Sequence, residues 1–403
     1  MKGKIKEWSM LSDAHKRITF FARTRFRNRG KVFGIRQVDR RAHMYLIGKT
    51  GTGKSTLLET LIRQDMDSGQ GFALLDPHGD LVEKVLARVP KYRKDDVIYF
   101  NVPDRARPLG FNPLTRVPPA KRPLAASGLL EAFKKIWPLF WGPRTEHILR
   151  NALLALLDQP EATLADILRL LEDASFRKNA AERVANAQVR HFWLREYESY
   201  PKGFRAEAIA PLQNKVGAFL ADPILNSILT ETRSAFDVRQ VMDERKILLV
   251  NLAKGKIGED TAGLLGALLL TSLSLAALSR AELTERERKD FHIYVDEFQT
   301  FTTVSLATML SELRKYHVGM ILANQYLSQL EEKVRDAIIG NVGTIIAFRL
   351  GAEDALALEP EFSPEFSALD LMSLPNYRIY LKLMIEGTVS RPFSAETFKT
   401  QSD

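Results

Sequence analysis

Short, uninterrupted apolar runs rich in β-branched residues recur at 43–47, 72–75, 97–100, 247–250, 292–295, 319–323 and 344–348. Each is too short for a helix and none shows a clean apolar–polar alternation. The pattern predicts strands covered on both faces, as in a parallel sheet between helical layers. Helical spacing separates most of the runs, so the expected class is α/β with a central, mostly parallel sheet. Between 115 and 236 the strand signal stops. There ASGLLEAFKKIW, TEHILRNALLALL, TLADILRLLED and FRKNAAERVANAQVRHFWLREYE carry apolar residues at helical spacing, with breaks at Pro138, Gly142-Pro143, Pro160, Pro201 and Pro211. The expected organisation is an all-helical domain (115–236) inserted into an α/β domain (42–114 and 237–403), preceded by an arm (1–41). From 378 to 394, RIYLKLMI, Glu-Gly-Thr and VSRPFS read as a C-terminal β-hairpin.

Residues 261–279 are uncharged over a length close to the ~20 that span a bilayer. KILLVNL before them and FHIYVDEF after them both read as buried strands, so the segment is expected to be a crossover helix within a βαβ unit. Insertion there would put two strands of one sheet on opposite sides of a membrane. Lys2, Lys4, Lys6 and Glu7 are not followed by an apolar segment, so no secretory signal is read.

With 403 residues, 45% hydrophobic and 27% charged, the chain can bury a sizeable core, which excludes disorder as its main state. The absence of cysteine excludes disulfides, thiolate zinc sites, iron–sulfur clusters and cysteine nucleophiles. The seven histidines form no His-x-x-x-His pair, so the chemistry must rest on oxygen and nitrogen groups. The net charge of +9 is concentrated in the arm, where thirteen Lys/Arg face three acids. Such a segment attracts polyanions, and Arg23, Arg25, Arg27 and Arg29 are its candidate DNA contacts; the alternative is a solvated arm that only aids solubility. Phe20, Phe21 and Phe26 among the arginines predict that part of the arm folds onto the body.

Gly48-Lys49-Thr50-Gly51-Thr52-Gly53-Lys54-Ser55 satisfies G-x-x-x-x-G-K-[ST], directly after the strand HMYLI and directly before the helix STLLETLIRQD. Glycines let backbone N–H groups wrap phosphates, the helix N-terminus adds positive potential, Lys54 reaches the β- and γ-phosphates and Ser55 ligates Mg²⁺. With Thr56, these residues form the candidate nucleotide site, and ATP with Mg²⁺ is the implied ligand. FHIYVDEF ends a strand in Asp296-Glu297, where the first carboxylate can join the Mg²⁺ shell and the second can polarise the attacking water. VGMILANQ brings Gln325 to the end of the next strand, where an amide can sense the γ-phosphate or merely cap the strand. Arg314, in MLSELRKYH between these strands, is the candidate arginine finger for a neighbouring subunit, against the plainer reading of a surface arginine. Asp76-Pro77-His78-Gly79-Asp80 reads as a turn, not a metal site, with Asp80 capping the next helix and Asp76 near the Mg²⁺ shell. Lys254 and Lys256, in AKGKIG after a strand, either touch DNA phosphates or form a solvated turn.

In order after the phosphate loop, LLDPHGDL (74–81), GFNPL (110–114), IYVDEFQTF (293–301), LSELRKYHVGMILANQYLSQL (310–330) and GNVGTIIAFRLG (340–351) resemble the HerA/FtsK superfamily of DNA-pumping ATPases. Within it the chain is most similar to the coupling-protein ATPases of conjugative type IV secretion, the TraG/TraD type. The resemblance covers 43–114 and 240–395 and implies a RecA-like P-loop NTPase, a hexameric ring with DNA in its channel, and catalytic roles for Lys54, Ser55, Asp296, Glu297, Gln325 and, in trans, Arg314. It implies relaxosome or secretion-channel partners at the helical domain. Membrane-anchored members begin with transmembrane helices that are not read here, so the expected location is cytoplasmic, peripheral at the inner membrane only through partners. Where some members carry a second arginine before the histidine that opens the phosphate-loop strand, this chain has Ala42, with Arg41 one place earlier. Other readings are a HerA-like motor serving a nuclease, a secretion or remodelling ATPase acting on protein at the membrane, and a nucleotide-gated DNA scaffold.

Overall fold

The computed structural model describes residues 18–25, 30–138 and 141–399. Its strands are β1 (Ile18–Thr24), β2 (Val32–Arg36), β3 (Met44–Ile47), β4 (Gly71–Asp76), β5 (Val97–Asn101), β6 (Ile247–Asn251), β7 (Phe291–Val295), β8 (Val318–Asn324), β9 (Thr344–Ala347), β10 (Arg378–Lys382), β11 (Met384–Ile385), β12 (Thr388–Val389) and β13 (Phe393–Thr397). Eleven form one sheet in the order β2-β1-β13-β10-β9-β3-β8-β7-β4-β6-β5. All seven apolar runs of the sequence become the parallel strands β3 to β9. Successive side chains enter opposite layers, Tyr45 and Ile47 on one face and Met44 and Leu46 on the other, so both faces are lined mainly by apolar side chains.

The other four strands of this sheet form an antiparallel wing. The expected hairpin is β10 against β13, with Arg378 opposite Glu396. Between them β11 and β12 make a small ribbon whose turn residues, Glu386 and Gly387, are both left-handed, at φ 52° and 79°. β1 pairs with β13 and with β2, and Phe21 is fully buried. Residues 18–24 and 32–36 are thus structural strands, not a solvated arm. Phe26 falls outside the described residues.

The labelled helices are α1 (Lys54–Asp67), α2 (Asp80–Ala87), α3 (Arg122–Ile136), α4 (Pro143–Leu157), α5 (Lys202–Ala221), α6 (Glu259–Ser279) and α7 (Val304–Leu313). Leu57, Leu58 and Leu61 of α1 and Val82 and Val85 of α2 cover one face of the sheet. On the opposite face α3, α6 and α7 share a contiguous core with Ile293 and Val295, and Leu149, Leu153, Trp193 and Phe219 of the helical segment extend it. Between β5 and β6 no strand occurs among the described residues. α6 is long and apolar enough for a membrane, but 89% of the relevant window is buried, and β6 and β7 at its two ends belong to one sheet.

Two local expectations are corrected. Pro211 does not break the chain but lies inside α5, where Glu207, four residues back, is exposed and its carbonyl can bond to water. The cap of α2 is Asp76, not Asp80: Asp76 Oδ2 accepts from the N–H groups of Leu81 (2.8 Å) and Val82 (3.1 Å). Gly79, left-handed at φ 89°, folds the helix start back over the end of β4, leaving Asp80 exposed at the first helical position.

A buried polar cluster ties α1 to β7. Arg40 donates to both oxygens of Asp65 (2.7 and 3.0 Å) and to the Tyr294 hydroxyl (2.5 Å), and His292 Nδ1 lies 3.1 Å from Asp65 Oδ2. The guanidinium holds the Asp65 carboxyl well below the usual carboxylate range despite its burial. The helix that follows the phosphate loop and the strand that carries the acidic pair are thereby held together far below the loop itself.

Candidate active site

The parallel strands deliver the loop 48–53, the acidic pair and Gln325 to one rim of the sheet, because β3, β8 and β7 are adjacent in that order. The N–H of Lys49 donates to the Arg349 carbonyl (2.9 Å), and the Thr52 hydroxyl to the Lys49 carbonyl (2.7 Å). A Cβ on Gly48 would come within 2.5 Å of Phe348 Cβ, so the loop lies directly on the segment after β9. Gly53, at φ 122°, turns the chain into α1, and Lys54 folds back to donate to the Gly48 (2.5 Å) and Lys49 (3.3 Å) carbonyls. Ser55 is exposed on the first helical turn and Thr56 is half-buried.

A continuous hydrogen-bond chain links the loop to Glu297. The Thr50 hydroxyl donates to Gln325 Oε1 (2.7 Å), Gln325 Nε2 to Glu297 Oε1 (2.7 Å) and Gln299 Nε2 to Glu297 Oε2 (2.6 Å). Two amides therefore grip both carboxylate oxygens. Glu297 is itself left-handed at φ 47° and ψ 49°, a conformation that is costly for this residue type and recurs where a side chain must be aimed. The N–H of Asp296 donates to the Leu75 carbonyl (3.1 Å), and its Oδ1 accepts from the N–H of Glu297 (3.1 Å).

Burial pushes Asp296 up to about 7, with the neighbouring Asp76 and Glu297 carboxylates adding to the shift and Lys54 opposing it. Burial also holds the Lys54 ammonium below the usual lysine range, while Glu297 and Asp296 pull it back up. A carboxylate that resists ionisation because it is buried and two further carboxylates, Asp76 and Glu297, crowd it suits a divalent cation, which would relieve the repulsion. Among the described residues no group of three or more His, Asp or Glu side chains forms a stand-alone metal cage. That donor set fits magnesium completed by phosphate oxygens, held by Ser55 and Asp296. The raised carboxyl means that the folded chain holds this proton more tightly than the unfolded chain. Metal-free stability should therefore fall between pH 4 and about 7, by up to about 4 kcal/mol relative to Asp296→Asn in denaturant titrations.

A family model described as the type IV secretion-system coupling protein DNA-binding domain matches residues 29–357. The chain belongs to this family. Among solved structures, this coupling-protein chain is similar to the bacterial conjugative coupling protein TrwBdeltaN70, at 15% identity and a TM-score of 0.64 over 99% of this chain and 92% of that one. TrwB in complex with ADP and Mg²⁺ is similar at 16% and 0.62, covering 99% and 94%. VirB4 of Thermoanaerobacter pseudethanolicus is similar at 14% and 0.61, covering 97% and 98%. No curated protein sequence matches. The fold is accordingly that of a TrwB-like P-loop NTPase, as the sequence reading expected.

Other candidates of the coupling-protein chain lie away from the phosphate loop. Arg314 is exposed in the turn Arg314–Tyr316 before β8, with the whole of that strand between it and Gln325, roughly 20 Å away. It makes no approach to its own phosphate loop. Lys254 and exposed Lys256 occupy the short helix Lys254–Ile257 after β6, on the same rim but two strands from β7, and Lys254 Nζ lies 3.7 Å from Glu259. Arg23 on β1 and Arg25 just after it are exposed, eight strand spacings from β6 and roughly 40 Å across the sheet. Arg25 pairs with Glu396 at 3.2 Å. The two candidate DNA-binding sets are thus not brought together; Arg27 and Arg29 fall outside the described residues. Arg41 is engaged by Asp290 at 2.6 Å. Sequence reasoning missed Gln299, whose position two residues beyond Glu297 points back only because the chain turns through Phe298–Thr300.

Proposed function

We propose that this coupling-protein chain hydrolyses magnesium-bound ATP and uses the energy to move DNA through a ring of identical subunits. The observation that carries the reading is the chain from Thr50 through Gln325 to Glu297, which couples the phosphate loop to a positioned base. Lys54 leaves the loop carbonyls for the β- and γ-phosphates, which replaces two neutral acceptors with anions. Ser55 and Asp296 would hold the magnesium that arrives with the nucleotide, which would supply charge neutralisation on the phosphate oxygens. Glu297 accepts the proton of the attacking water, held in place by Gln299 and Gln325. Gln325 shares an amide between the loop and the base, so a γ-phosphate that draws off Thr50 changes the aim of Glu297.

Arg314 cannot serve its own loop at that distance, and its exposure on the opposite rim suits a finger offered to a neighbouring subunit in a hexamer. Lys256, with Lys254, is the DNA contact this reading favours, because its loop shares the rim with the acidic pair. Such contacts read phosphate and not sequence, so DNA binding should weaken steeply with salt. The helical segment, between β5 and β6, is the proposed meeting place for relaxosome or secretion-channel proteins, which would also supply any attachment to the inner membrane. ATP turnover, measured with and without single- or double-stranded DNA at low salt, is expected to rise with DNA and to lose that rise as salt increases. Turnover indifferent to DNA but stimulated by polypeptide would overturn the DNA-motor reading in favour of a protein-secretion ATPase.

A further inference from the structure

Two aromatic rings touch the phosphate loop from the side of β9 and β10. An ideal Cβ on Gly53 would lie 3.0 Å from Tyr377 Cδ1 and 3.1 Å from Phe348 Cε1. Phe348 is fully buried, whereas Tyr377 is only half-buried and keeps a solvent-reachable surface. Tyr377 is fixed to the loop by its own backbone: its N–H donates to the Thr52 carbonyl (2.8 Å), and its carbonyl accepts from the N–H of Thr397 (2.8 Å). It is left-handed at φ 66°, which is costly for a bulky residue and persists only where the surrounding structure holds it.

Arg349 locks the same segment from the other side. Its carbonyl accepts from the Lys49 N–H, while its guanidinium donates to the Leu374 carbonyl (3.4 Å) and to Asn376 Oδ1 (3.1 Å). The loop and the tyrosine therefore cannot shift independently. Over the ring, 5.4 Å from its centroid, stands the ammonium of Lys399, an exposed side chain near the end of the described residues. A π-face that draws a cation also accepts a flat heterocycle, and only a flexible side chain need move aside.

We infer that Tyr377 is the platform on which the nucleobase of the bound nucleotide stacks, so that the site recognises the base as well as the polyphosphate. The inference rests on the phosphate loop being a triphosphate site. Base–aromatic stacking tolerates any base, so the platform would strengthen ATP and GTP alike, and inorganic tripolyphosphate not at all.

Calorimetric titration of the full chain with magnesium and either ATP or tripolyphosphate tests this. Tyr377→Ala is expected to weaken ATP about tenfold while leaving tripolyphosphate within about twofold, and Tyr377→Phe to keep both. Equal weakening of the two ligands would mean that the side chain only shapes the loop, and unchanged ATP affinity would mean that the base lies elsewhere; either overturns the platform. In the unsubstituted chain, irradiated 8-azido-ATP should label residues within 374–399, and labelling confined to other peptides contradicts the inference. If tripolyphosphate fails to bind the unsubstituted chain, the phosphate-loop reading itself falls, and the platform with it.

Discussion

Glu297→Gln is expected to lower ATP turnover by roughly a hundredfold to ten-thousandfold while leaving ATP bound, because it removes the proton acceptor and little else. The surroundings favour a clean result. Gln325 and Gln299 both donate amide hydrogens to the carboxylate, and a new amide at 297 would turn one of those contacts into an N–H facing an N–H. Gln299 Oε1 has no partner, so its amide can flip and accept from the substituted residue. Geometry is then retained and chemistry lost. Single-turnover hydrolysis beside nucleotide retention on a filter separates the two, and a variant that turns over at the normal rate would remove Glu297 from the reaction.

Arg314→Ala should leave ATP affinity unchanged and reduce turnover by about a thousandfold or more, the range attributed to a finger that stabilises charge on the transferring phosphoryl group. A defect in trans has a signature that no surface arginine produces. Mixed with Lys54→Ala, which keeps Arg314 but cannot hold nucleotide, the inactive Arg314→Ala chain should regain turnover. Some interfaces then combine the intact loop of one variant with the intact arginine of the other. Mixed subunits that stay inactive, with assembly confirmed by sedimentation, would place Arg314 outside the site.

The parts legible in the sequence were those fixed by local pattern or by burial on both faces. Residues 72–75 and 247–250 have no polar positions because β4 and β6 lie inside the sheet with helices above and below, and the phosphate loop shows itself in eight consecutive residues. The parts that stayed hidden depend on residues far apart in the chain. β1 is a strand because Ala22 meets Thr397, and nothing near position 22 announces that partner. Asp76 rather than Asp80 caps α2 because Gly79 folds the helix back, a matter of backbone direction that an N-cap pattern does not encode. Gln299 and Tyr377 are placed by left-handed turns at Glu297 and at Tyr377 itself, where residue type alone argues against the conformation observed. The helical insertion was legible as helix, whereas the joining of its Leu149 and Trp193 to the core beneath β7 was not.

In the proposed motor, one triphosphate joins the loop of one subunit to the arginine of the next. Electron cryo-microscopy of Glu297→Gln with ATP, magnesium and DNA tests it most directly. The expected map shows a ring of like subunits in which Lys54 has left the Gly48 carbonyl for the β- and γ-phosphates, Asp296 faces the metal, and a neighbour's Arg314 reaches the γ-phosphate. Nucleotide bound away from residues 48–56, or Arg314 directed into solvent at every occupied site, would contradict the account.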